Sequence, residues 1–436
     1  MAALSVTRDF NRDIETAPRE RLARAQISRT QRLLGEALAS NAFYQSKLID
    51  AGFKDARDFA SLDDLARLPM TRKQELVDDQ EAHPLFGTNL TYPLNQYTRA
   101  HQTSGTMGKP LRWIDTKESW DWWSRCWADV YRAAGVNDQD RIFFAFSFGP
   151  FIGFWAAFAG ADRIGSMALT GGAQDSRQRL RSLVDLSATV LCCTPSYALH
   201  LAEVAAADGI DLRHSAISRI IVAGEPGGSI PATRARIESA WGASLFDHAG
   251  ATEVGAHSFT CEAHSGLHIN EGEFIAEVID PMTGALTDDG ELVLTNLGRL
   301  GSPVIRYRTG DHVRLNRATC DCGRTFARLE GGIIGRIDQM LIVRGVNIYP
   351  SAIEAIVRSH PGVDEFSIEV DRVHEMDELT ISAEVRGSAP AEVAEKIARD
   401  CLERLALRVR VIVAPEQSLP RFELKARRVV DRRTIS

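Results

Sequence analysis

Between Thr189 and Glu225 the chain reads TVLCCTPSYALHLAEVAAADGIDLRHSAISRIIVAGE. Two short apolar runs, TVLCCT and SRIIVAGE, bracket a longer amphipathic segment, YALHLAEVAAA. A strand buried on both faces reads as a continuous apolar run, and a crossover helix returns the chain to a parallel neighbour. The alternation continues on both sides, with RIFFAF (141–146) and QRLRSLVDL (178–186) before it and PATRARIESAW (231–241) after it. From about Arg141 to Gly255 the sequence therefore predicts strand, helix, strand, and an α/β region with a largely parallel sheet.

The chain is 436 residues long, too many for one ordinary core, so a large domain and a smaller one are expected. From His268 to Val313 the runs become short and turn-punctuated (FIAEVID, PMTG, ELVLTN), which predicts an antiparallel or β-barrel-like subregion. Beyond Gly335 the pattern changes again. Ser351 to Ser359 reads as helix, FSIEV and LTISAEV as strands, Pro390 to Leu405 as helix and VRVIVAP as a last strand. That is a small α+β domain, with its boundary near Arg336 to Met340, giving domains 1–336 and 337–436. Upstream, Glu20 to Asp50 reads as one helix, with Leu22, Ile27, Leu33, Leu34 and Leu38 on its apolar stripe. Leu62 to Leu68 and Arg72 to Val77 read as short helical pieces. Trp120, Trp123 and Trp127 fall at helical spacing and are assigned to core packing.

With 44% hydrophobic and 25% charged residues, the composition is that of a soluble globular protein. A net charge of -7 argues against a polyanion binder, so nucleic acid is not an expected partner. The first residues are charged throughout and lack a secretory apolar stretch, which predicts a cytoplasmic protein. Ile142 to Ala161 runs for 20 residues without a charge, long enough to span a bilayer, but Gly149-Pro150 interrupts it. Proline disfavours helix in the residue before it, so strand, turn and helix is the reading, and no membrane partner is expected. Seven cysteines, an odd number without an export signal, predict no disulfide framework.

The loop Thr103-Ser104-Gly105-Thr106-Met107-Gly108-Lys109-Pro110 combines glycines, hydroxyls and a lysine. Glycines let backbone N–H groups approach phosphate oxygens, and the hydroxyls and ammonium supply more donors. It is not a Walker-type P-loop, because Thr103 stands where the first glycine should be and Pro110 follows the lysine. Taken alone, it is equally a surface turn. Further on, Gly250-Ala251-Thr252-Glu253 follows a strand-like run, SLFDHA, so a hydroxyl and a carboxylate fall at a strand end where sheet proteins bind ligands. A carboxylate there suits Mg2+ beside phosphates. Tyr307-Arg308-Thr309-Gly310-Asp311 ends another strand with an acid able to accept from ribose hydroxyls.

In this order and at these separations the chain resembles the adenylate-forming superfamily, and within it the phenylacetate-CoA ligase family. The likeness covers nearly the whole chain and rests on TSGTMGKP, AGEPGG, HAGATEVG, GLHIN, VIRYRTGD, CDCGRT, GRIDQMLIVRGVNIYPSAIE and LPRFELKARRVVDRR. The resemblance implies that Ser104 to Lys109, with Thr103, close over the β- and γ-phosphates of ATP, and that Glu253 binds Mg2+. It further implies that Gly224-Glu225-Pro226 and His248-Ala249-Gly250-Ala251-Thr252 line the nucleotide site, Asp311 holds the ribose and Arg336 orients the nucleotide. Asp338 would be the hinge, and Lys425 would bridge the substrate carboxylate and the α-phosphate. After pyrophosphate leaves, the small domain would rotate about Asp338 and present RGVNIYP, around Gly345, beside a tunnel for the thiol of coenzyme A.

By the same resemblance, the acyl group lies between SFGPFIGF and His248-Ala249-Gly250, where Phe146, Phe148 and Phe151, with Ala249 as floor, would wall a flat apolar pocket for an aromatic ring. The chain has His-Ala-Gly-Ala-Thr-Glu where the family usually has tyrosine and then glycine, which alters the adenine platform and the pocket floor. Separately, Cys261-Glu262-Ala263-His264 and Cys320-Asp321-Cys322-Gly323 give two close pairs of donors suited to a structural tetrahedral Zn2+. His257 and His268 stand as alternatives to His264. The remaining cysteines, Cys126, Cys192, Cys193 and Cys401, lack such pairing and read as packing residues.

The sequence thus predicts an ATP-dependent, AMP-forming ligase converting an aryl or arylacetic acid to its acyl-adenylate and then its CoA thioester. One alternative is an adenylating enzyme that passes the acyl group to an amine or a carrier protein. Another is a non-catalytic, zinc-containing nucleotide-binding protein. A homodimer is compatible with the resemblance.

Overall fold

The computed structural model describes residues 12–103, 110–344, 346–373, 376–422 and 425–433. The apolar runs that open the sequence reading are neighbours in one sheet. Met167–Thr170, Arg141–Phe144, Val190–Cys193, Arg219–Ala223 and Ser244–Ala251 lie side by side in that order, all parallel. Alternate residues serve opposite faces. Ile142, Phe144, Val190, Cys192, Ile221 and Phe246 face a core shared with Trp122, Trp123 and Trp127 of helix Lys117–Ala133 and with Ala156 of helix Ile152–Ile164. Phe143, Leu191, Cys193, Ile220, Val222 and Leu245 face a second core with Leu180, Tyr197, Leu201, Ile237 and Trp241, from helices Ser176–Asp185, Pro195–Ala207 and Pro231–Trp241. Both faces are covered, which is why these runs carry no polar alternation.

The charge-free stretch is the strand Arg141–Phe144 and the helix Ile152–Ile164, on either side of Gly149-Pro150. Among the described residues no helix is long and apolar enough to cross a membrane.

Beyond Ser244–Ala251 the sheet turns antiparallel through Gly255–Thr260, Leu267–Ile269, Arg328–Leu329, Tyr307–Asn316, Asp289–Asn296 and Phe274–Ile279. The antiparallel subregion is as expected, but no barrel closes. Phe274–Ile279 and Met167–Thr170 are the two ends of one open 12-stranded sheet among the described residues. The helix expected from Glu20 to Asp50 is two, Arg19–Ser40 and Ala42–Asp50. Asn41 breaks it, because its side chain accepts the Tyr44 N–H and caps the second helix. Leu33, Leu34, Tyr44 and Leu48 then buttress the antiparallel strands through Ile275, Leu297 and Ile305.

After the 3-10 turn Ile337–Gln339 and the ribbon Leu341–Val343/Val346–Ile348, the chain builds a separate four-stranded sheet. Its order is Arg410–Ala414, Met376–Val385, Val363–Val373, Val429–Asp431. Helices Pro350–Arg358 and Pro390–Leu405 cover it, with Ile353, Val357, Ile368, Ile381, Ile397 and Cys401 in its core. The strand Val429–Asp431 escaped the sequence reading, since three residues leave no period to detect. All seven cysteines are free thiols.

Candidate active site

The carboxyl ends of the parallel strands converge on one cleft, and the motif residues emerge there as loops: Phe146 after Arg141–Phe144, Thr194 to Ser196 after Val190–Cys193, Gly224-Glu225 after Arg219–Ala223, and Thr252-Glu253 after Ser244–Ala251. Ser104, Gly105, Thr106, Gly108 and Lys109 lie outside the described residues, as does Gly345. The ends of the phosphate loop are on view. Strands Tyr97–Gln102 and Arg112–Thr116 form an antiparallel hairpin around it. Thr103 closes its base, donating its N–H to the Leu111 carbonyl at 2.9 Å and accepting the Leu111 N–H on its hydroxyl at 3.0 Å.

Glu253 is buried, and one of its oxygens pairs with Lys73 Nζ at 3.0 Å. Its backbone is held by a residue no motif advertised. Arg299, fully buried, donates to the carbonyls of Thr252 (2.7 Å) and Glu253 (3.2 Å). The same guanidinium donates twice to Asp115, 2.7 Å to each oxygen, and lies 4.8 Å from the ring of Trp113 and 5.3 Å from that of Trp123. Asp115 belongs to the returning strand of this hairpin, so one buried ion pair ties the strand Arg112–Thr116 to the Thr252-Glu253 turn.

Asp311 and Arg336 are facing residues on paired strands, and Arg336 reaches Asp311 at 3.2 Å and Asp338 at 3.1 Å. Burial raises the Asp311 pKa, with Arg336 and Lys425 pulling the other way. Gly310, at φ +74°, lies beneath the Arg336 guanidinium, where a Cβ would come within 2.8 Å of it. Asp338 sits in the turn between the large sheet and the small domain's ribbon.

Lys425 reaches the large domain across the cleft. Its Cε lies 3.6 Å from where a Cβ on Gly224 would stand, and Gly224 holds a φ of +98° that favours glycine. Protein crowding its ammonium lowers its pKa, while the charges of Glu225, Glu253 and Asp311 raise it. Both oxygens of Glu225 hold backbone N–H groups, Ser196 at 2.9 Å and Ala426 of the small domain at 2.5 Å.

Beside the first core strand, Phe146 stacks on Phe154 with ring centroids 3.7 Å apart. Phe148 meets Phe146 at 5.4 Å and Trp155 at 4.8 Å. Phe151 is half-buried ahead of the helix, its ring against Gly149. His248 packs on Trp127 at 4.4 Å. Burial takes its pKa down to about 4, and its Nδ1–H donates to the Ser258 carbonyl at 2.7 Å, so the ring is neutral with Nε2 as its acceptor. Trp123 and Trp127 are core residues as expected, but Trp120 is half-buried, stacked on His101 and covered by Arg99.

The metal donors need a correction. Cys261, Cys320, Cys322 and His268 bring their ligand atoms within 4.8 Å of one another, and His264 is not among them. The Cys261-to-His264 turn leaves His264 at φ +50° with its ring against Phe246. His268 Nδ1 faces the Phe326 carbonyl at 3.1 Å, so Nε2 points into the cluster, 3.5 Å from Cys322 Sγ. A histidine oriented through its second nitrogen in this way is the usual arrangement at a metal. Cys261 and Cys320 sulfurs lie 3.8 Å apart, matching the roughly 3.8 Å edge of a tetrahedron with ~2.3 Å zinc–sulfur bonds. The alternative His257 instead contacts Ser258 Oγ at 2.8 Å.

Residues 345–433 match the family model described as AMP-binding enzyme C-terminal domain. The phenylacetate-coenzyme A ligase of Thermus thermophilus is 32% identical over 97% of this chain and 99% of its own length. The chain belongs to the phenylacetate-CoA ligase family. It is an AMP-forming acid–CoA ligase that uses ATP and coenzyme A. Its fold is similar to that of 2-hydroxyisobutyryl-CoA ligase in the postadenylation state, in complex with R3-HIB-AMP, with a TM-score of 0.90 at 30% identity, over 98% of this chain and 93% of that one. Against the same ligase in the thioesterification state with 2-HIB-AMP and CoA, the TM-score is 0.73 at 32% identity, over 97% and 92% of the two chains. The arrangement of this chain is thus more similar to that of the postadenylation state.

Proposed function

We propose that this ligase activates an aromatic carboxylic acid, aryl or arylacetic, through its acyl-adenylate to the CoA thioester. The observation that carries the aromatic class is the stack of Phe146 on Phe154, flanked by Phe148 and Trp155, where the first parallel strand opens into the cleft. Flat apolar walls favour an aromatic ring over a branched aliphatic chain.

In the first half-reaction a substrate carboxylate oxygen attacks the α-phosphorus of ATP and pyrophosphate leaves. Two anions must approach, so positioned cations matter more than proton transfer. Lys425 supplies a point charge between the substrate carboxylate and the α-phosphate, Asp311 accepts from the ribose hydroxyls, and Arg336 orients the nucleotide. The loop closed by Thr103 covers the outer phosphates, and Gly224 to Pro226 with His248 to Thr252 line the nucleotide. Glu253 fits Mg2+, which is commonly held by one carboxylate and the phosphates, and the ion would neutralise phosphate charge. In the second half-reaction the small domain turns about Asp338, Lys425 withdraws, and the CoA thiol enters past Gly345, attacks the acyl carbon and releases AMP. Zinc held by Cys261, His268, Cys320 and Cys322 would leave no open coordination position and serve structure alone.

Pyrophosphate exchange over a panel of aromatic and aliphatic acids, followed by product analysis with CoA, tests the proposal. Exchange and thioester formation with aryl or arylacetic acids are expected. Exchange confined to aliphatic acids overturns the substrate class, and adenylate accumulating despite CoA returns the acceptor to an amine or carrier protein.

A further inference from the structure

The segment that carries Lys425 is fastened to the large domain by groups that make no use of the lysine itself. On the large-domain side, Thr194 caps the helix Pro195–Ala207 by accepting the Tyr197 N–H. That leaves the Ser196 N–H to donate to one oxygen of Glu225 at 2.9 Å. The other oxygen takes the Ala426 N–H at 2.5 Å, one residue beyond Lys425. Two residues further, Arg428 donates to Ser196 Oγ at 3.0 Å. Arg428 is itself buried and held by both oxygens of Glu365, at 2.7 and 3.0 Å, on the small domain's strand Val363–Val373. A continuous polar path therefore runs from the small sheet through Arg428, Ser196 and Glu225 back to Ala426, and Lys425 is threaded beside it over Gly224.

We propose that Ser196, Glu225 and Arg428 form an inter-domain clasp that positions Lys425 for adenylation and must open before the thioester step. The proposal rests on the alternating-domain reading above. Two of the hydrogen bonds that cross the domain boundary belong to the clasp, Ala426 N–H to Glu225 and Arg428 to Ser196, and each has a partner that water can replace when the domains part. Arg428 keeps Glu365 in either arrangement, so opening the clasp strands no buried charge. Glu225 keeps the Ser196 N–H. The parts left behind on each side stay satisfied, which is what a fastening that opens in every turnover requires. Ser196 and Arg428 are positioning residues, because their effect on the reacting atoms passes through Lys425, whereas Glu225 also lines the nucleotide.

The test uses the full chain and whichever acid the parent enzyme activates, so a wrong acid class leaves it intact. Adenylation is read by ATP–pyrophosphate exchange and the second step by thioester formation from preformed acyl-adenylate and CoA. Ser196→Ala is expected to lower the exchange kcat about tenfold with the thioester rate unchanged, and Glu225→Gln, which sets an amide N–H or a weaker acceptor against Ala426, to lower exchange further. In a Lys425→Ala background Ser196→Ala is expected to cost nothing more, since the group it positions is gone. Equal losses in both half-reactions, or additive losses in the double variant, overturn the clasp. An exchange rate unaltered by both single variants overturns it too. Absence of exchange by the parent with every acid removes the function reading and the clasp together.

Discussion

Glu253 and Lys425 face the same cleft, and the protein holds them in opposite ways. The Glu253 turn is braced from inside the core by Arg299, whose guanidinium and whose partner Asp115 are both fully buried. The segment carrying Lys425 is docked by polar contacts across a domain boundary, among them Glu225 to Ala426, Ser196 to Arg428 and the pair Arg421–Glu203 at 3.0 Å. A buried ion pair is expensive to break, because removing either partner leaves an uncompensated charge out of water. A cross-domain hydrogen bond whose two groups keep their other partners, as Arg428 keeps Glu365 and Glu225 keeps the Ser196 N–H, exchanges for water at less cost. The Glu253 half of the site is thus held as a permanent unit and the lysine half by contacts that can part, as the two-arrangement reaction proposed above requires.

The largest effect should come from the detachable half. Lys425→Ala is expected to slow adenylation by about a hundred- to a thousand-fold, the scale of one lost transition-state charge contact, and to slow thioester formation from preformed adenylate far less. Equal loss in both would break the contrast. Arg299→Met probes the permanent half. It leaves Asp115 buried without its partner and should cost about 3–5 kcal/mol in denaturant unfolding of the large domain. Glu203→Ala, which removes one partner of the peripheral pair and leaves Arg421 held by Glu384, should cost within about 1 kcal/mol in the same measurement. If the two variants unfold alike, the two halves are not held differently.

The contrast also separates what could be read from the sequence from what could not. The site residues of both halves announce themselves: Lys425, Glu225, Glu253, Asp311 and Arg336 sit in segments whose spacing along the chain carries the family likeness. The parallel strands were legible for a related reason, since Val190–Cys193 and Arg219–Ala223 are apolar on both faces. The brace behind Glu253 was silent. Asp115 lies in a five-residue strand and Arg299 in a loop, 184 positions apart, and a contact at that range leaves no local period. Ser196 was equally hidden, because its role depends on which strand ends the sheet places side by side. His264 misled because a C-x-x-H spacing describes the chain path and not the side on which a turn leaves its ring. His268 reaches the cluster from a strand whose pairing with Arg328 fixes its direction.

The Cys261–His268–Cys320–Cys322 cluster extends the comparison to a third element, remote from the moving parts and tied to the permanent sheet. Elemental analysis should find about one zinc per chain, and none would sink the assignment. His268→Ala should lower that content while His264→Ala keeps it. The reverse pattern would restore the spacing-based choice.

The finest difference between the halves lies in proton linkage. In its proposed role Lys425 works as the ammonium, so adenylation should be level below its pKa and decline as pH rises through it. Crowding by protein sets that pKa below the ordinary lysine value of 10.5, against the pull of Glu225, Glu253 and Asp311, so the decline should begin earlier than for a free lysine. Glu225→Gln removes one of those carboxylates and should move the decline to lower pH. Lys425→Arg should abolish it across the accessible range, because arginine does not deprotonate there. The thioester step, run with Lys425 withdrawn, should show no such limb, and its pH profile should be the same for the parent chain and for the Lys425→Arg and Lys425→Ala variants. A shared alkaline limb in both half-reactions would mean that the lysine never leaves the site, and that the half held by a few cross-domain hydrogen bonds is as permanent as the half held by Arg299.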